Sequence, residues 1–145
     1  MPRDFQRSKL YDAESSVFPM YEPVEKYRQL DDCHEFLKKI MATEYWKRHK
    51  GWKRIKIGDG RGRRSACYKP HRRQVCLPLW ARNEYVMIHE MAHCLVHKTQ
   101  GDSRVWHGTH FAGHYLQLVD ELLGMDESSK LMESFDKKGV KYHLQ

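Results

Sequence analysis

The sequence predicts an α+β fold, and three observations carry that prediction. Apolar residues recur at helical spacing in the first fifty positions and again from residue 84 onward. Between them WKRIKI alternates apolar and basic residues at period two, and dense turn signals follow. The segment after the strands reads as a buried helix carrying HEMAH, His89 to His93. At 145 residues, with 40% apolar and 12% aromatic side chains, the chain has the size and composition of one packed domain, 1–145. No repeat, low-complexity tract or long linker divides it.

The elements follow in order. Residues from Arg3 to about Val17 form a first amphipathic helix, with Phe5, Leu10, Ala13 and Val17 partly on one side. FPMYEP, with Pro19 and Pro23, is an extended connection. A second helix opens near Asp32, where Glu35 three residues later makes a capping box in the broad sense. Phe36, Leu37, Ile40, Met41 and Tyr45 then share a face, and Gly51 ends the helix.

WKRIKI, RRSACY and VCLPL are expected as short strands of a small antiparallel sheet, turned by GDGRG and by KPHRRQ. Asn83 caps a third helix from Glu84 to about Lys98. The last substantial helix runs from Gly108 to Leu123 and stops at Gly124, and the polar tail beyond Gly139 is expected to be loosely held.

Composition narrows the function classes. No apolar run approaches the ~18–20 residues that span a bilayer, and MPRDFQRSKL lacks the apolar region of a secretory leader. A cytoplasmic protein without a membrane partner is the expectation. Cys33, Cys67, Cys76 and Cys94 occur singly, which argues against a zinc ribbon and favours free thiols. The net charge of +7 is uneven: Lys47–Arg73 holds twelve Lys or Arg against one acid, Asp59. Such a stretch is either a solvated face or a surface for DNA, with Lys53, Arg54, Lys56, Arg61, Arg63 and Arg64 its candidate contacts. The four tryptophans, Trp46, Trp52, Trp80 and Trp106, read as core or core-edge residues, and His34, His49, His71 and His143 as surface histidines.

HEMAH is the chemically loaded stretch. On a helix, His89 and His93 lie about 6 Å apart along the axis and about 40° apart around it, so both rings can converge on one ion. Glu90 then projects beside the ion without ligating it, placed to take a proton from water. His97 lies about 12 Å from His89 along the same helix, too far to share the ion. Val96 and Thr99 break the metzincin pattern HExxHxxGxxH at its glycine and its third histidine.

A third ligand must come from elsewhere. Gly101-Asp102 allows the chain to reverse, so HGTHF can return either His107 or, one turn on, His110 to the metal. His110 is otherwise a candidate donor to an oxyanion, with Tyr68, Tyr85, Tyr115 and Arg104 as further candidates.

HEMAH followed by HGTHF resembles the SprT-like minimal zincins, in which HExxH is followed by a short connection and then HGxxF or HGxxW. The opening QRSKLYDAE, the turn GRGRR and the HGxxF segment are also similar to metallohydrolase-like proteins of actinobacteria and their phages whose substrates are unknown. The resemblance implies a zincin-like α+β fold with HExxH on the active-site helix and one Zn²⁺ per chain. It implies His89, His93 and His107 as ligands and Glu90 as general base of a zinc metallohydrolase, a peptidase acting on protein or peptide. Those proteases often append a DNA-binding zinc module, which this sequence lacks. The rival reading is a zinc-stabilised nucleic-acid or partner-binding module acting through Lys47–Arg73.

Overall fold

The computed structural model describes residues 3–61, 65–101 and 104–144. Its helices are α1 (Arg7–Val17), α2 (Leu30–Met41), α3 (Glu44–Arg48), α4 (Glu84–Gln100), α5 (Thr109–Leu123) and α6 (Met125–Lys138). Its strands are β1 (Lys56–Gly58), β2 (Cys67–Lys69) and β3 (Gln74–Cys76). The α+β expectation holds.

α4 is the axis of the molecule. Every residue from Val86 to Val96 is buried, so the helix has no solvent face over three turns. Asn83 caps it as the sequence implied: its side chain accepts from the Val86 amide at 2.9 Å. The same Asn83 amide group donates to the carbonyls of Met20 and Glu22, each at 3.1 Å. One buried residue thereby fixes both the start of α4 and the proline-flanked connection after α1.

The antiparallel sheet is corrected to a mixed one. β3 lies in the centre, parallel to β1 and antiparallel to β2. GDGRG therefore does not close a hairpin, because β1 and β2 sit on opposite sides of β3. The KPHRRQ turn does close one, pairing Lys69 with Gln74 and setting Cys67 opposite Cys76, both as free thiols. Arg73 takes the left-handed conformation there, at φ 47° and ψ 53°.

Two further expectations change. The helix foreseen from Asp32 to Gly51 starts two residues earlier and breaks in two, because Thr43 accepts from the Trp46 amide at 3.1 Å and recaps the chain as α3. Gly51 is required less as a stop than as a gap: a Cβ there would collide with the Trp46 indole. After Gly124 the chain forms α6 instead of ending its helices. Asp126 and Glu127 lie in the first turn of α6, Lys137 and Lys138 in the last, and Gly139 follows in the left-handed region.

α6 supports α1, and α5 packs against both α4 and α6. Leu131 and Phe135 enter the core, and the Ser134 hydroxyl donates to the Ala13 carbonyl at 2.8 Å. The tail is held as well. Gln6 clasps the Lys141 backbone, donating to its carbonyl at 2.9 Å and accepting from its amide at 2.8 Å. The His143 amide also donates to the Thr109 carbonyl at 3.1 Å.

Trp46 is buried, while Trp52, Trp80 and Trp106 pack at the core's edge as expected. His49 is not a simple surface residue, since its ring lies against Tyr45 and His114. Among the described residues no helix is long and apolar enough to cross a membrane.

Phe135→Ala should cost about 3–5 kcal/mol in denaturant unfolding, because it empties a site that is fully buried. His114 adds a pH dependence. Burial, with His49 and His110 nearby, pushes its imidazole down to about 3, against ~6.5 in an unfolded chain. The unfolded chain therefore takes up a proton first, and the stability carried by neutral His114 is lost as pH falls below about 6.5. His114→Gln should flatten that decline, and thermal midpoints of both proteins at pH 7 and pH 4 would show it.

Candidate metal centre

His89 and His93 are one helical turn apart on α4, and His107 enters from the loop before α5. Their ligand atoms all lie within 4.8 Å of one another, and all three rings are buried. This cluster can hold a metal ion; among the described residues it is the one group of three that can. Three imidazole nitrogens gathered in this way are a donor set of the kind divalent metal ions take. Gly108 lets the chain make this approach, because a Cβ there would lie 2.8 Å from the Val105 side chain.

The N-terminal segment orients two of the rings. Glu14 of α1 pairs with His89 Nδ1 at 2.7 Å. Asp4 pairs with His107 Nδ1 at 2.8 Å and also accepts from the His107 amide at 3.0 Å. With Nδ1 engaged by a carboxylate, each imidazole leaves Nε2 for the ion. The donor set therefore fits a divalent cation: three imidazoles, two of them backed by carboxylates.

Electrostatics agree with that use. Burial alone would lower His89, but the charge and hydrogen bond of Glu14 outweigh it and raise its pKa. Burial, then the facing His89 and His107, hold His93 well below its ordinary value, with the Trp106 backbone opposing. Burial and His89 bring His107 down to about 4, against the pull of Asp4. The last two rings are thus neutral at physiological pH, as metal ligation requires. Burial raises the Glu90 carboxyl to about 7, with His89 opposing.

A cleft crosses the site. One lobe, of about 300 Å³, runs from His89 past Met20 and Val86 to Tyr21 and Trp80. The other, of about 400 Å³, is lined by Cys67, Tyr68, His93, Trp106 and His107. Arg7, Tyr11, Ser65, Ala66 and Glu90 border both lobes, so Glu90 stands where they meet.

Of the remaining candidates, Tyr115 packs edge-on against His89 at 5.6 Å and Tyr68 lines the second lobe, while His97, His110, Tyr85 and Arg104 border neither lobe. His110 is exposed on the first turn of α5 and faces His143. His97 pairs with the Tyr68 hydroxyl at 2.9 Å and packs against Trp52. Tyr85 stacks on Phe18, and Arg104 lies over Trp106. Tyr115 is fully buried, and burial together with Glu14 lifts its phenol far above the ordinary range. Lys53, Arg54, Lys56 and Arg61 are exposed and border neither lobe, while Arg63 and Arg64 lie outside the described residues. Trp52 carries Arg73 over its ring at 4.4 Å.

Asp4, Glu14 and Tyr11 were not foreseen as parts of the site. One signal was present for Glu14: it follows Leu10 by four residues, which puts an acid on the buried face of α1.

Comparison with family models, with curated proteins and with solved structures finds no match, so the site stands on its own geometry.

Glu14→Gln and Asp4→Asn should each weaken the binding of an added divalent metal ion about 10- to 100-fold, read by competition with a chromophoric chelator. Asp12→Asn, on the exposed side of α1 and paired with Lys138, should leave it unchanged.

Proposed function

We propose that the protein is a zinc-dependent metallohydrolase of the zincin type, acting as a peptidase, with His89, His93 and His107 holding the ion. One observation carries this reading. Glu90, next in sequence to His89, is buried beside the three histidines and borders both lobes of the cleft. Zinc bound there would acidify water and polarise a carbonyl.

The chain's own groups do the rest. Glu90, raised to about 7, accepts a proton from the attacking water and passes it to the leaving amine. Asp4 and Glu14 keep the ligand rings in one orientation through both transfers. The burial of His89, Glu90, His93 and His107 limits the screening of these groups by bulk water.

The sheet bears on how a peptide would lie. β3, the strand just before the metal helix, is not open to strand addition, because it has neighbours on both sides. The edge at β2 serves instead, because Ser65 and Ala66 lead into it along the cleft and Cys67 and Tyr68 line the second lobe. An extended chain added there presents its backbone to Glu90.

Glu90→Gln should retain one zinc per chain and lower the cleavage of an unfolded protein substrate by about 10²–10⁴-fold. Metal analysis and a peptide-release assay on the same preparation check both halves. Undiminished cleavage would remove Glu90 from the chemistry. If zinc binds, no peptide is turned over, and DNA binding is salt-sensitive and indifferent to the substitution, the basic stretch becomes the functional surface.

A further inference from the structure

We propose that Tyr11 is a catalytic hydrogen-bond donor of this centre, its hydroxyl placed to polarise the carbonyl oxygen under attack. The assignment rests on the metallohydrolase reading above. The Tyr11 hydroxyl lies 3.0 Å from His107 Nε2, the nitrogen left open when Asp4 engages Nδ1. Its ring meets His107 edge-on at 4.9 Å and stacks on His89 at 5.9 Å, so the phenol stands over two of the three rings.

Proton accounting fixes which partner donates. In neutral His107 the proton sits on Nδ1, where the Asp4 carboxylate accepts it, so Nε2 carries a lone pair and the Tyr11 O–H donates to it. His107 Nε2 would give that lone pair to a bound ion. The hydroxyl would then keep its proton in the cleft, where an oxygen of a bound substrate could accept its hydrogen bond. A substrate carbonyl meets it from the cleft, since Tyr11 borders both lobes together with Glu90. The donor gains strength as that oxygen acquires negative charge, which is what distinguishes catalysis from binding.

The placement is rigid. Tyr11 and Glu14 stand three residues apart on α1 and share a face of the helix. Glu14 is pinned to His89, so the hydrogen bond that orients a ligand also fixes the height of the phenol. Arg7, one turn earlier, lies with its guanidinium 5.5 Å from the Tyr11 ring centroid.

The test is Tyr11→Phe, which removes one oxygen. Wild type and variant are loaded with cobalt, and acetohydroxamate is titrated while the visible spectrum of the metal is followed. The expected result is one metal per chain and the same unfolding midpoint in both, with hydroxamate binding about 10- to 100-fold weaker in the variant. On a peptide substrate kcat should fall about 10²–10³-fold with KM little changed. Equal hydroxamate affinity in the two proteins overturns the role of Tyr11 and leaves the metallohydrolase reading standing. Loss of the metal from Tyr11→Phe overturns it too, by making Tyr11 a ligand. Cobalt-loaded wild type that takes up no hydroxamate ends both readings, because nothing then enters the centre.

Discussion

The structure is organised around the cost of placing polar groups inside its most buried helix. His89, Glu90 and His93 lie in the stretch of α4 that has no solvent face. A buried imidazole or carboxylate without a partner costs several kcal/mol, enough to consume much of a small domain's stability. The Glu14–His89 contact at 2.7 Å answers this for the first histidine. It requires α1 to lie across the middle of α4, and much of the remaining architecture keeps it there.

Seen this way, α6 is a brace. It packs along α1, and Ser134 ties itself to the Ala13 carbonyl, one residue before Glu14. Gln6 fastens the beginning of the same helix to the Lys141 backbone, two residues after Asp4. Asn83 holds the exit of α1 to the entrance of α4. These polar contacts bracket the two carboxylates that orient the ligand rings. The cleft depends on them equally, since Arg7 and Tyr11 form one wall of it.

The parts that were legible in the sequence are those whose determinants are local. α4 announced itself by Asn83 and a nearly continuous apolar run, and α5 by its periodicity and Gly124. HEMAH implied two convergent rings by helix geometry alone. The sheet misled because GDGRG has the composition of a hairpin turn while the pairing that forms is between β1 and the more distant β3. Strands of three residues carry too little alternation to reveal such an exchange. α6 went unread because Leu131, Met132 and Phe135 are sparse in a polar stretch, although its charges and Gly139 marked both ends. Asp4 gave no signal and Glu14 showed only as an acid on the buried face of α1, because their partners lie 103 and 75 residues further along the chain.

Those separations bear on the order in which the site is completed. The HEMAH helix and His107 lie close together in the chain, whereas Asp4 and Glu14 belong to the N-terminal segment whose helix α6 supports. A chain in which α6 has not docked would display three histidines without the carboxylates that orient them. An ion captured at that stage would lack those carboxylate partners and exchange more readily. The α6 brace would thereby couple tight capture of an ion to completion of the fold.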